Sequence, residues 1–394
     1  MADRYLRKAA AAGGNGQSWT TAWNEFSAVT VSQLASGTLW IATGNYTTAM
    51  PDMTNIDNVT IKRAVDGSAS TRGPAADWNA AYDGQVNVDS PNGWFTGTGC
   101  DNLIIDGATH NPWGMRIIGV TGDSGMIFWI NATGGTFRNL DMDGNDEHGY
   151  NIEDGFRFSE SVNVLVEHCY IRNYHHDPDG ANGHNDGIQD FEGNGFIYRY
   201  NISRNCGQHL ILGETAFGNN PLNNVQIYYN VFENDPSDAD STYDTLATKG
   251  SGGTNWKIEN NTFVVRNSVI SQNHGTIYHY SGEPVSGYYV RNNIFYDSPP
   301  GDVTTATRGN NCYYLSGTAP SETGRVTADP LFTNYAGYDY RLQAGSPCAT
   351  SGLNLGYTQD ILGNPVGSSN ISMGAYQFGT GSSPPTGTIT LSVR

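Results

Sequence analysis

Basic residues are scarce in this chain of 394 residues. Twenty lysines and arginines face 38 aspartates and glutamates, giving a formal net charge of −18. Only four are lysines: Lys8, Lys62, Lys249 and Lys257. No basic stripe exists to neutralise phosphates, which excludes nucleic acid as a partner. Long apolar runs are missing too, so no segment is suited to cross a membrane as a helix. Residues 1–14 lack the apolar core of a secretion signal. Cysteine is sparse and odd in number: Cys100, Cys169, Cys206, Cys312 and Cys348 show no metal-type spacing. Buried free thiols are expected, with a Cys169–Cys206 bridge as the minor alternative.

What the chain does have is repetition. Five blocks align without gaps, at 166–173 (VEHCYIRN), 198–205 (YRYNISRN), 227–234 (IYYNVFEN), 258–265 (IENNTFVV) and 290–297 (VRNNIFYD). Their starts lie 32, 29, 31 and 32 residues apart, a period that marks a solenoid. The fourth position reads Cys169, Asn201, Asn230, Asn261 and Asn293. A sixth block at 136–143 (TFRNLDMD) is expected to put Asn139 in that column. The blocks are short and rich in β-branched and aromatic residues, which favours strands over helices. First and sixth positions are mostly apolar, as for core-facing side chains, with Ser203 the exception. An asparagine at one place per repeat suits a ladder of carboxamides at a turn. The 49 glycines serve turns that need positive φ.

These repeats resemble the right-handed parallel β-helix family of pectate lyases, polygalacturonases and phage tailspikes, over roughly residues 58–300. The resemblance implies an all-β, single-stranded parallel β-helix with an N-terminal cap and a C-terminal closing segment. The expected organisation is a cap and first coil at 1–57, coils with loop insertions at 58–300, closing coils at 301–378 and a flexible linker at 379–394. Trp19, Trp23 and Trp40 read as cap and first-coil core. Residues 66–100 exceed one turn and read as an inserted loop. The Gly/Ser/Pro-rich linker suggests a further module beyond it.

A second strand follows each block. Aligning Phe156, Ile188, Leu210, Leu246 and Ile277 as inward residues leaves Gly155, Gly187, His209, Thr245 and Thr276 in one outward row. Arg157, Gln189, Ile211, Ala247 and Tyr278 form the next. Asp186, Gln208 and Asp244 stack at the strand starts, and Glu192 and Glu214 near the ends, beside Lys249. Side chains in one column stand about 4.8 Å apart, close enough for acid–base chemistry on one bound bond. Insertions at 174–185 (YHHDPDGANGHN) and 235–243 (DPSDADSTY) build a wall suited to a polymer.

The candidate catalytic set is therefore Asp186, His209, Glu214, Lys249, His184, Asp190 and Glu192. His175, His176, Arg157, Gln189 and Tyr278 are candidate substrate contacts. Asp177 and Asp179 are candidate calcium ligands, and the acidic run at 235–244 is a candidate calcium loop, since hard oxygen donors cluster there, although the calcium-hand spacing is missing. No other cofactor is implied. Duller roles compete: Asp154, Asp186 and Asp244 could be turn-forming carboxylates, and Glu192 a solvated turn residue.

The segment GHNDGIQ at 183–189 is similar to a polygalacturonase-type motif at a catalytic aspartate, although Asn185–Asp186–Gly187–Ile188 lacks the intervening residue and the family's other motifs are not found in order. DTLATKG at 244–250 looks like the strand bearing a lysine base in one pectate lyase family. The resemblance implies a polysaccharide partner outside the cell or in a virion, and a monomer or a homotrimer. Three readings stay open: glycoside hydrolysis by paired carboxylates, elimination or uronate epimerisation with a Lys or His base, and glycan binding without catalysis. The acidic surface favours a neutral polymer, because a polyanion is repelled at long range.

Overall fold

The computed structural model describes residues 3–90, 93–110, 112–119, 126–145, 154–174, 186–213, 222–234, 245–248, 253–266, 275–280, 282–284 and 286–379. The chain forms two compact units, Met1–Gly193 and Asn194–Arg394.

In the first unit the chain lays down strands for three sheets in rotation. One sheet holds Arg4–Leu6, Thr38–Ile41, Thr60–Arg63, Ile104–Asp106, Thr136–Arg138 and Val162–Glu167. The second holds Gly44–Tyr46, Val86–Ser90, Met115–Gly119, Leu140–Asp143 and Tyr170–Tyr174. The third holds Met53–Thr54, Phe95–Thr98, Ile127–Ile130, Asp154–Ser159 and Asp186–Phe191. Neighbours within each sheet run parallel, for example Phe156 beside Ile188 and Ile127 beside Phe156. Parallel strands joined by crossovers wind right-handed. The second unit repeats the scheme, with Asn194–Arg199, Ile202–Cys206 and Gln208–Leu212 opening its three sheets. It closes with an antiparallel pair, Phe332–Asn334 and Asp339–Leu342. Each unit is a right-handed parallel β-helix.

The repeat blocks form the corner between the first and second sheets. The residue before the ladder position is left-handed in coil after coil: His168 (φ 53°), Tyr200 (58°), Tyr229 (54°), Asn260 (54°) and Asn292 (56°). That turn aims the next side chain inward. In the second unit those side chains make the expected ladder. Asn201 donates from its main-chain N and Nδ2 to Asn230 Oδ1 at 2.9 and 3.2 Å. Asn230 does the same to Asn261, Asn261 to Asn293, and Asn293 to Asn311. Each Nδ2 from Asn230 onward also reaches a carbonyl of the previous coil, as Asn261 does at Ile227 O (2.8 Å). Glu322 ends the column by accepting from Asn311 N and Nδ2 at 2.8 and 3.0 Å. The ladder satisfies polar groups that burial would otherwise leave costly.

Cys169 performs the same task in the first unit, its Sγ facing Phe137 O and Glu167 O at 3.7 and 3.4 Å. The expectation for Asn139 is off by one residue. Phe137 pairs with Val166, so Asn139 falls beside His168 and Leu140 beside Cys169. Asn139 is in the left-handed position (φ 59°), where asparagine is tolerated for its backbone conformation.

Residues 66–100 also differ from the expected loop. Only their first part is inserted, because Val86–Ser90 pairs with Gly44–Tyr46 and Met115–Gly119, and Phe95–Thr98 pairs with Ile127–Ile130. Within 1–57, the stretch expected to hold the cap and first coil, Arg4–Leu6 pairs with Thr38–Ile41. Trp19, Trp23 and Trp40 are buried, as their reading as core requires.

Candidate functional site

The third sheet carries the expected register. Phe156 lies beside Ile188 in the first unit, and Leu210, Leu246 and Ile277 are neighbours in the second. The row expected to face outward keeps its register, with Arg157 beside Gln189 and Ala247 beside Tyr278, but Gln189, Ile211 and Ala247 are buried.

In the first unit the sheet brings two carboxylates together. Asp154 and Asp186 are register partners at the starts of adjacent parallel strands, and both are fully buried. In-register side chains of a parallel pair point the same way, about 4.8 Å apart at the backbone. Arg157 stands 3.9 Å from Asp154 Oδ2 and spreads over the Phe191 ring, 4.8 Å from its centroid. Gln189 is buried beside it. Gly155 leaves the room that the Tyr174 ring occupies: a Cβ there would meet the Tyr174 hydroxyl at 3.1 Å. The strand bearing Asp186 follows directly on the 174–185 insertion in sequence.

Two further carboxylates do not join this pair. Asp190 is the neighbour of Phe158 and faces the apolar interior, where it is buried. Asp190 lies two residues beyond the inward Ile188 and so shares its face. Among the described residues its Oδ1 has no hydrogen-bond partner, and burial pushes the carboxyl up to about 7. Glu192 adopts φ 56° where Glu160 (48°) and Asn131 (52°) do in the preceding coils. It occupies the turn that ends each strand.

His209 is the main departure in the second unit. It was expected on the open face but is fully buried. Ser203 accounts for this. Phe232, Phe263, Phe295 and Tyr313 stack through the interior at 5.1, 5.1 and 5.2 Å, and Ser203 is the register partner of Phe232. The missing ring is supplied by His209, edge-on to Phe232 at 5.6 Å. Ser203 Oγ lies 2.6 Å from Nδ1 and Asn234 Oδ1 lies 2.8 Å from Nε2. Those partners assign the Nε2–H tautomer: Ser203 donates to Nδ1, and Nε2–H donates to Asn234. Burial pulls the imidazole down to about 4, against the opposing Asn234 bond.

A second histidine, absent from the sequence-based set, is built the same way. His279 Nδ1 faces Thr248 Oγ1 at 2.7 Å and Nε2 faces the Tyr288 hydroxyl at 3.2 Å. Burial lowers it to about 4 as well. It lines a small recess with Leu212, Gly213, Thr248 and Trp256, room for about one water. Its neighbour Tyr278 is half-buried, packed edge-on against the exposed Tyr280. Its place in the strand Ile277–His279 was visible in the alignment, but nothing in sequence separated it from a surface residue.

Glu214, Lys249, His184, His175, His176, Asp177, Asp179 and Asp244 lie outside the described residues. Among the described residues no cluster of three or more His, Cys, Asp or Glu could hold a metal ion, and no helix is long and apolar enough to cross a membrane.

No family model matches the sequence, and no curated protein does. Solved structures show distant likeness. ORF18 of Geobacillus virus E2 is 14% identical over 74% of this chain, with a TM-score of 0.40, and this chain spans about half (52%) of its length. XylC, solved with xylose, is 10% identical over 95% of this chain and 98% of its own, at 0.42. Pectate lyase Pel9A is 10% identical over 96% of each, at 0.33. Shared chain path at such identities transfers no residue-level chemistry.

Proposed function

We propose that the chain cleaves a polysaccharide by hydrolysis, with Asp154 and Asp186 as the carboxyl pair. The supporting observation is their register: two acids at one position of adjacent strands, with Arg157 3.9 Å from Asp154 Oδ2. An acid–base pair works when one group donates a proton while its partner stays ionised. The 174–185 insertion supplies His175, His176 and His184 next to Asp186 in sequence, and Arg157 and Gln189 line the same strands as substrate contacts. The strong negative charge suits a neutral polymer, handled outside the cell or on a virion.

Elimination is the second reading, favoured by the placement of Thr248. It ends the strand Leu246–Thr248 at the recess beside His279, and Lys249 follows it in the chain. On this reading Lys249 is the base.

One experiment separates the readings. Neutral and uronate polysaccharides are incubated with the protein, and reducing ends and unsaturated sugar are both measured. Hydrolysis yields reducing ends alone; Asp154→Asn and Asp186→Asn each lose at least about 100-fold, while Lys249→Ala stays active. Unsaturated product that disappears in Lys249→Ala replaces this mechanism with elimination. Glycan binding without any cleavage leaves the non-catalytic reading. Full activity in both asparagine variants assigns the two aspartates to turn formation.

A further inference from the structure

The closing segment of the second unit does not stop at the last coil. It runs back along the outer wall of the second sheet. In that sheet the rings of Phe232, Phe263, Phe295 and Tyr313 stack inward, so alternation turns the two flanking columns outward. One is Ile202, Val231, Thr262, Ile294 and Cys312, and the other ends in Val264, Tyr296 and Tyr314. Val231, Val264, Ile294 and Cys312 are buried all the same, packed with Tyr340, Ile361, Met373 and Ala375 of the closing segment. The flanking columns of the first unit's second sheet instead hold Arg116 and Arg172, paired with Asp143 and Asp141. There charge replaces apolar surface, as on a wall that meets water.

Polar bonds tie residues 351–377 to the coils level by level. Asn310 Nδ2 donates to Ser351 O at 2.6 Å, and Asn292 Nδ2 donates to Leu353 O at 2.8 Å. The Tyr357 hydroxyl donates to Glu259 Oε2 at 2.6 Å, and its ring stacks on Tyr228 at 4.5 Å. The Tyr200 hydroxyl reaches Gln359 O at 3.4 Å. Between Ser351 and Gln359 the chain thus steps past the coils of Asn310, Asn292, Glu259, Tyr228 and Tyr200 in turn. A second pass meets the same coils: Gly374 N donates to Asn292 O, Ala375 N to Thr262 Oγ1 and Gln377 Nε2 to the Tyr229 hydroxyl. Asp360, fully buried, joins the two passes, its carboxylate accepting from Leu362 N, Asn364 N and Gln377 N at 2.9, 2.8 and 2.9 Å.

We propose that residues 351–377 are a longitudinal strap that makes the coils of the second unit open as one body. In a bare solenoid each coil contacts only its neighbours, so an end coil can fray alone. Here the last coil cannot leave without breaking bonds in a segment that is also fixed to the first coil of the unit.

Native-state hydrogen exchange on the full chain tests this by perturbing one end of the unit and reading the other. Ser316→Ala removes a hydroxyl that donates to Phe295 O at 2.7 Å in the last coil. With the strap intact, amide protection should fall by the same factor, about fivefold, in Cys312–Tyr314 and in Ile202–Cys206. In the Asp360→Ala background the same change should lower protection in Cys312–Tyr314 alone. Tyr357→Phe, which removes only the bond to Glu259, takes the place of Asp360→Ala if that chain does not fold, and should shrink the effect at Ile202–Cys206. Equal spread to Ile202–Cys206 with the strap intact and weakened assigns the coupling to the coils themselves and overturns the proposal. A loss confined to Cys312–Tyr314 when Ser316→Ala is the sole change overturns it as well.

Discussion

Ser203 Oγ and His209 Nδ1 are 2.6 Å apart in the interior of the second unit, at the one level where the ring stack ending in Tyr313 lacks a ring of its own from the second sheet. The small residue and the histidine are two halves of one substitution: a position that would hold a phenyl group holds a hydroxyl, and an imidazole from the next strand enters the space. Ser203→Ala should therefore cost about 1–3 kcal/mol, because Nδ1 is left buried and unpaired. Chemical denaturation at pH 7 measures this.

Acid should weaken the same region. His209 and His279 both titrate near 4 in the fold, below the ordinary value of 6.5. The unfolded chain binds protons that the native one refuses, so stability present above 6.5 is lost as pH falls toward 4. Unfolding midpoints between pH 7 and 4 should decline, and less steeply in His209→Gln. Equal slopes would remove His209 from the cause.

Asp190 acts in the opposite sense. Its folded value near 7 lies above the ordinary 3.8, so the native state holds a proton that the unfolded state releases. Stability contributed by this group is full below about 4 and is lost as pH rises through 7. Asp190→Asn should raise the unfolding midpoint at pH 8 and leave it nearly unchanged at pH 4.

Asn261 donates to Asn293 and accepts from Asn230, and also satisfies Ile227 O. Asn261→Ala strands partners on both sides and should cost about 2–4 kcal/mol. The surface Asn87, which donates to Asn45 Oδ1 and has an ordinary strand backbone, is the control, with Asn87→Ala within about 0.5 kcal/mol of wild type.

Gly374 combines φ 83° with contacts to Ile294 and Thr262 that a Cβ would bring to 2.7 Å. Gly374→Ala should destabilise the closing segment by at least about 1 kcal/mol. Limited proteolysis after residue 330 would become faster than in wild type if the segment lifts.

The period of the repeat, its strand character and the asparagine column were legible in sequence because stacked coils repeat one environment, and one environment selects one residue type. The alignment of Phe156 with Ile188 and of Leu210 with Leu246 and Ile277 followed from the same alternation. Asn139 slipped by one because asparagine suits two adjacent positions of the corner, the left-handed residue and the ladder residue, and sequence does not say which. His209 and Asp190 were decided by tertiary structure alone. Alternation assigns a side chain to a face, but whether that face meets solvent depends on what packs at the next corner and on cavities left by residues such as Ser203. The burial of Cys312 and Cys348 in one apolar cluster belongs to the same class, since it arises from a closing segment that returns onto a coil laid down long before it. Local periodicity thus determined the coils, and long-range packing determined which polar groups those coils enclose.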